Sequence, residues 1–129
     1  MKYRYRNDQS THRNEVKFDV VLPKLGRIKY VKGYRYFGRY HTSHEAVLVV
    51  GENGSARFGG LNWGYGGQGP RGLHGLLLKL GVPAAQAWEV AFQTPRLKQL
   101  GEDWRVSLVW TLKTAEIKKE NEVPSGSAL

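Results

Sequence analysis

Hydrophobic residues in this chain either alternate with polar ones or form short apolar runs, and both patterns are typical of β-strands. Glu52-Asn53-Gly54 is a turn signal that joins two of these stretches as a hairpin. The stretch 104–112 alternates most regularly, with one face formed by Trp104, Val106, Leu108, Trp110 and Leu112. The pattern predicts strands over 16–22, 27–37, 46–50, 55–58 and 104–112.

A helical period is clearest in the second half of the chain. Leucines at i, i+3, i+4 and i+7 predict a helix that begins near Pro70 and ends at Gly81, with the stripe Leu73, Leu76, Leu77 and Leu80. Pro83 can open a second helix, and Thr94-Pro95 a short third one. We therefore predict an α+β fold, a small antiparallel sheet with two or three helices packed on one face.

The length of 129 residues, with 40% hydrophobic and 12% aromatic residues, indicates one folded domain. Polar residues dominate both ends, and the last twelve include proline, glycine and serine. The predicted organisation is a basic N-terminal arm (1–15), a single α+β domain (16–117) and a disordered tail (118–129).

The charge of the chain is strongly positive and unevenly placed. The formal net charge is +9, and residues 1–41 hold 11 Lys/Arg against 3 Asp/Glu, whereas residues 42–129 hold 9 against 8. This asymmetry favours a polyanionic or acidic partner that approaches the N-terminal third. The alternative is charge that serves solubility alone.

Two segments interleave basic and aromatic residues, KYRYR at 2–6 and YRYFGRY at 34–40. On a strand, Arg4 and Arg6 lie opposite Tyr3 and Tyr5. In the second segment, Arg35 and Arg39 lie opposite Tyr34, Tyr36 and Tyr40. Cations for phosphates and rings for bases are what a nucleic-acid groove needs. An ordinary half-buried strand, with rings inward and arginines in water, would show the same pattern.

Six glycines lie between Gly59 and Gly69, directly before the predicted leucine helix. Such a loop presents backbone N–H groups at a helix N-terminus, where anions bind, and Arg71 would add a charged donor. The motif matches neither the P-loop nor the dinucleotide fingerprint. The alternative is a structural turn that seats the helix, with Trp63 and Tyr65 in the core.

Catalytic and metal-binding patterns are weak. The chain has no cysteine, His41 and His44 lack an obvious third ligand, and no carboxylate pair is placed for acid–base chemistry. A small enzyme acting on a phosphorylated substrate through Arg71 and His74 stays open but is not favoured. We expect no cofactor, no metal and no membrane partner. A cytoplasmic location is the default expectation, because no apolar run approaches a span or a signal peptide.

The run from Trp63 to Pro70, followed by Leu73, resembles the WGYGGxGPxxL-like signature of a family of uncharacterised small bacterial and phage proteins, a domain of unknown function. The resemblance extends more weakly from about Tyr34 to Trp104. Gln68 and Arg71 depart from the small residues expected at their positions. The resemblance implies a phage or mobile-element origin, and it supplies no activity or catalytic residues.

The predicted function is a non-catalytic module that binds nucleic acid or a nucleotide phosphate. The alternative is a protein-interaction factor, such as a phage-type inhibitor or an accessory subunit, that docks on an acidic or nucleic-acid-binding surface. The candidate binding residues are Arg4, Arg6, Arg35, Arg39, Trp63, Tyr65, Gly66, Gly67, Gln68, Gly69, Arg71 and His74.

Overall fold

Five strands form one mixed sheet, and the described helices pack on one of its faces. The computed structural model describes residues 2–7, 10–37, 43–94 and 107–113. The strands are β1 (Tyr3–Asn7), β2 (Ile28–Phe37), β3 (Ser43–Gly51), β4 (Gly54–Gly59) and β5 (Ser107–Lys113). The helices are α1 (Thr11–Glu15), α2 (Phe18–Val21), α3 (Gln68–Lys79) and α4 (Ala84–Trp88), with a 3₁₀ turn over Leu22–Leu25 and a π-helical turn over Glu89–Gln93.

The strand order is β1-β4-β3-β2-β5, which puts the apolar strand β3 at the centre. The predicted α+β class is confirmed. The sheet is mixed rather than purely antiparallel, because β1 pairs with β4 in parallel while the other neighbours are antiparallel. The segment 1–15, predicted as an arm, supplies β1 and α1 to this fold.

Strand register divides the sheet into two faces, because residues paired across a ladder point the same way. We call the first the covered face: one row across it runs Leu112, Val31, Val49, Ala56, Tyr5. These side chains pack with buried residues of the helices and the 3₁₀ turn, namely Phe18, Val21, Leu25, Leu73, Leu76 and Leu77. We call the second the open face: one row across it runs Lys113, Tyr30, Val50, Ser55, Arg4.

The predicted strand over 16–22 is wrong, because this stretch is helical. Phe18, Val21 and Leu25 are all buried, at i, i+3 and i+7, which is a helical rather than an alternating spacing. Phe18 packs edge-on against Phe58 of β4, with ring centroids 5.1 Å apart. Burial of that stripe against the sheet therefore outweighs the β-propensity of the valines.

The prediction that Leu108, Trp110 and Leu112 share one face of the last strand is also wrong. Gly33 pairs with Trp110 but the next residue, Tyr34, pairs with Leu108, so Val109 forms a β-bulge. The bulge turns Leu108 to the open face, where it is 59% exposed, while Leu112 stays buried. Trp104 and Val106 lie outside the described residues, as do the predicted third helix and the tail.

The two other predicted helices are present. The helix α3 begins at Gln68, two residues before Pro70, and its leucines pack as the spacing predicts. Pro83 precedes α4, which continues into the π-helical turn. The predicted strands over 27–37, 46–50 and 55–58 are confirmed as β2, β3 and β4.

Candidate nucleic-acid interface

The glycine-rich loop leads into α3 on the covered side of the sheet. Gly67 is the N-cap residue, and the Arg71 amide donates to its carbonyl oxygen at 3.1 Å. No side chain in the described part of the chain caps this helix end, and the side chains of Gln68 and Arg71 are exposed. The arrangement is therefore the helix N-terminus that the sequence predicts, with one cation beside it.

Close packing accounts for two of the loop glycines. A Cβ added to Gly69 would lie 1.8 Å from Oδ1 of Asn62, and one added to Gly67 would lie 2.4 Å from the ring of Tyr65. The Tyr65 hydroxyl, in turn, donates to Oδ1 of Asn62 at 3.0 Å. At Gly66 an added Cβ would meet no atom of the described residues within 4 Å. Gly67 and Gly69 therefore fit the structural-turn interpretation, because side chains of the loop occupy the space beside them.

Two aromatic candidates of this region are engaged with other rings. Trp63 is fully buried and packs edge-on against Trp110, with centroids 5.8 Å apart. A ring in this position presents no surface to a base, so we remove Trp63 from the candidate site. His74 is half-buried and lies 5.9 Å from the Trp88 ring centroid and 5.4 Å from that of Phe92.

Arg35 points to the covered face rather than to water. Its Nε donates to Oε2 of Glu45 at 2.9 Å and its Nη2 donates to the same oxygen at 2.6 Å. The two side chains are only 5% and 6% exposed. Arg35 is thus a buried ion-pair residue, and its assignment to the binding site is corrected. Arg39 lies outside the described residues.

The open face carries the remaining basic candidates. Arg4 is paired in register with Ser55, and Arg6 with Arg57, so all four side chains point to this face. The strand positions described on this face include five Lys or Arg residues and no Asp or Glu: Arg4, Arg6, Lys32, Arg57 and Lys113. The charges at these described positions are therefore all of one sign, as they are on a polyanion-binding surface.

Tyrosine rings lie between these cations. The Nζ of Lys32 is 4.7 Å from the ring centroid of Tyr30, and the Cζ of Arg57 is 5.5 Å from that of Tyr34. Such a cation–π contact is worth about 0.5–1 kcal/mol at an exposed site. Stacking of a nucleic-acid base on a ring is worth about 1–3 kcal/mol. Stacking on a base would therefore stabilise such a ring more than the cation does.

The sequence pattern contained a signal for Tyr30 and Lys32, which are not among the predicted binding residues. Tyr30, Lys32 and Tyr34 share one face by simple alternation along β2, and this is the face opposite the described helices. Arg57 could not be found in this way, because its place next to Tyr34 depends on how β2 and β4 pair with β3, which lies between them.

A hollow of about 220 Å³ lies at the β1 end of the open face. Leu48 and Val50 of the central strand provide apolar surface, and Ser55 provides a hydroxyl group. Lys2 and Arg4 bring two positive charges, and the remaining lining comes from Tyr3, Gly51 and Gly54. The hollow thus combines a cationic side with apolar surface, in the part of the sheet that carries Arg4.

The loop and the N-terminal arginines do not line one surface. The helix α3 packs on the covered face through Leu73, Leu76 and Leu77, whereas Arg4 and Arg6 point to the open face. The sheet therefore separates Gln68 and Arg71 from those arginines. The prediction that both regions hold one anionic target is corrected. Alternation along β1 puts Arg4 and Arg6 on one face, but it does not show which face of the sheet the helices cover.

Within the described ranges, no three His, Cys, Asp or Glu side chains are grouped to hold a metal ion. No helix in the same part of the chain is long and apolar enough to cross a membrane. Comparison with family models, with curated proteins and with solved structures finds no match to this chain. The resemblance of 63–73 to the phage and bacterial signature stays a prediction.

Proposed function

We propose that this chain is a non-catalytic nucleic-acid-binding module and that the open face is its binding surface. One observation carries the proposal: the described strand positions of this face combine five Lys or Arg residues with tyrosine rings and no carboxylate. Arg4 and Arg6 are exposed, as is Lys113. Exposed cations around aromatic surface are the two components that nucleic-acid binding uses.

Each group has a defined role. Arg4, Arg6 and Arg57 form a basic strip along β1 and β4 that would contact successive phosphates. Tyr30 and Tyr34 offer ring faces to bases on β2. Phosphate contacts supply most of the affinity and make it depend on salt, whereas ring contacts add a salt-independent part. Binding of this kind requires no general acid, general base or cofactor.

The test compares two charge-matched double variants. Arg4→Ala/Arg6→Ala removes two cations from the open face, and Arg13→Ala/Arg71→Ala removes two exposed cations from α1 and α3. Affinity for a fluorescent oligonucleotide is measured from 50 to 200 mM salt. Each lost phosphate contact reduces the slope of log affinity against log salt concentration by about 0.7 for a single strand or about 0.9 for a duplex. The open-face variant should lose about 1.4–1.8 from the slope, and the control variant should keep the parent slope.

The same pair of variants separates the open face from the glycine loop. A slope that falls only in Arg13→Ala/Arg71→Ala would move the binding site to the α3 terminus and reject the open face. An affinity that does not change with salt in the parent protein would reject nucleic-acid binding through phosphates altogether.

A protein-interaction function is the second candidate, and a different surface favours it. Trp88 is 52% exposed and packs against Phe92, with centroids 4.4 Å apart. Exposed aromatic side chains are enriched in protein interfaces. Recovery of one stoichiometric protein after nuclease treatment, lost in Trp88→Ala and retained in Arg4→Ala/Arg6→Ala, would favour this function over the first.

A cytoplasmic location and a phage or mobile-element origin belong to the same proposal. The sequence signature at 63–73 supports the origin, and the proposed nucleic-acid ligand fits the location. Fractionation of cells that express the untagged chain tests the location, and recovery in the membrane pellet would contradict it.

A further inference from the structure

We infer that the ligand of the open face is a single strand with unstacked bases, one of which enters the hollow between Arg4 and Val50. The inference rests on the proposed nucleic-acid function and goes further by naming the form of the ligand. It applies to DNA and RNA strands alike, because the groups that carry it contact bases and phosphates.

The first argument comes from the apolar residues between the cations. Leu48 and Val50 lie on the central strand, between the basic positions of β1 and β4 on one side and Lys32 of β2 on the other. A duplex presents its charged backbone to a flat protein surface and keeps its bases inside. Contact with a duplex would therefore place charged phosphates against Leu48 and Val50 and remove their water without a hydrogen bond in return, which is unfavourable. A single strand can place its bases there instead.

The second argument comes from the spacing of the tyrosines. Tyr30 and Tyr34 lie four residues apart on β2, which corresponds to about 13 Å along a strand. Neighbouring bases in a duplex strand are stacked about 3.4 Å apart. Two rings at the larger distance can both receive a base only if the strand is extended and its bases are splayed.

The third argument comes from the hollow itself. Its volume of about 220 Å³ is below the ~300–1,000 Å³ of sites for drug-sized ligands, which suits one base rather than a whole nucleotide cofactor. Leu48 and Val50 would pack against the face of the base, and the Ser55 hydroxyl can donate to or accept from its edge. Lys2 and Arg4 are placed to contact the phosphates on either side of that nucleotide.

The experiment uses the full chain and three probes of equal length. These are a mixed-sequence dodecamer, the same dodecamer annealed to its complement, and an abasic dodecamer that keeps every phosphate but has no bases. At 100 mM salt we expect the intact single strand to bind at least about tenfold more tightly than either other probe, since each stacked base contributes about 5–150-fold. Duplex binding as tight as that of the single strand would overturn the inference, and so would equal binding of the abasic probe.

Matched variants locate the base contacts. Ser55→Ile fills the hollow with a residue that strands favour, whereas Ser55→Thr keeps the hydroxyl. Tyr30→Thr removes the ring but keeps the strand propensity, whereas Tyr30→Phe keeps the ring. We expect Ser55→Ile and Tyr30→Thr each to lose about fivefold or more on the intact strand and less than twofold on the abasic probe. Equal losses on both probes would show that the bases are not what these residues contact.

The outcomes distinguish failure of this inference from failure of the nucleic-acid-binding function on which it rests. If none of the three probes binds at 50 mM salt, the nucleic-acid function itself fails. If all three bind with equal affinity and a steep salt dependence, the function stands as phosphate binding and the single-strand inference fails. Far-UV circular dichroism and urea unfolding of each variant confirm that it is folded before its affinity is compared.

Discussion

The buried ion pair between Arg35 and Glu45 allows a sharp test of whether Arg35 contributes to stability or to ligand binding. The substitution Arg35→Ala removes a guanidinium whose Nε and Nη2 both donate to one carboxylate oxygen. It leaves Glu45 with a carboxylate in a site where its side chain is 6% exposed. The loss of two charged donors from a buried carboxylate is strongly unfavourable, because burial keeps water from replacing them.

The expected cost is about 3–5 kcal/mol, the range for a broken buried ion pair. That is a large part of the ~5–15 kcal/mol by which a domain of this kind is stable. With a urea dependence of about 2 kcal/mol per molar, the unfolding midpoint should fall by roughly 1.5–2.5 M. The replacement Arg35→Met/Glu45→Leu removes both charges and should recover most of the loss, because an apolar pair can fill such a site.

The assay is urea unfolding followed by circular dichroism, with Arg13→Ala as the control that removes an exposed arginine. Oligonucleotide affinity of the folded double replacement is measured in parallel and should match that of the parent. A stable Arg35→Ala protein with reduced affinity would refute this reasoning, because Arg35 would then be a binding residue, as the sequence first suggested.

Two further predictions concern packing that the structure explains directly. Gly69→Ala should lower the free energy of unfolding by about 1–2 kcal/mol, because the clash with Asn62 exceeds the ~1 kcal/mol gain in helix propensity. Gly66→Ala, the control, should be neutral or slightly stabilising. Urea unfolding of the pair checks this, and equal effects at both positions would contradict it. Asn14→Ala should cost about 2–3 kcal/mol, because buried Asn14 donates to the Gly59 carbonyl at 2.6 Å and accepts from the Tyr5 hydroxyl at 3.1 Å. A thermal unfolding midpoint unchanged in Asn14→Ala would contradict that prediction.

Local spacing was enough to predict most elements of the fold. The leucine stripe of α3, the apolar run of β3 and the turn at Glu52-Asn53-Gly54 each depend on neighbours within a few residues. The prediction of a strand over 16–22 is wrong because it follows the valines of this stretch. Phe18, Val21 and Leu25 already have helical spacing in the sequence. The period over the longer window 16–25 would have corrected that prediction.

The candidate site depended on long-range pairing, which the sequence does not contain. Alternation along β2 correctly predicts that Arg35 and Tyr34 lie on opposite faces. It does not show which of them faces the helices. That choice depends on Glu45, which is ten residues away in sequence and meets Arg35 across the β2–β3 ladder. In the same way, the bulge that turns Leu108 to the open face arises from the pairing of β5 with β2.

The most direct test of the open face is an NMR titration that observes arginine side chains. Unlabelled dodecamer is added to ¹⁵N-labelled protein, and the Nε–Hε signals are assigned through the single Arg→Ala variants. Binding on the open face predicts shifts for Arg4, Arg6 and Arg57 and unchanged signals for Arg13 and Arg71. Shifts confined to Arg71, with Arg4 and Arg6 unmoved, would contradict the account and place the ligand at the glycine loop.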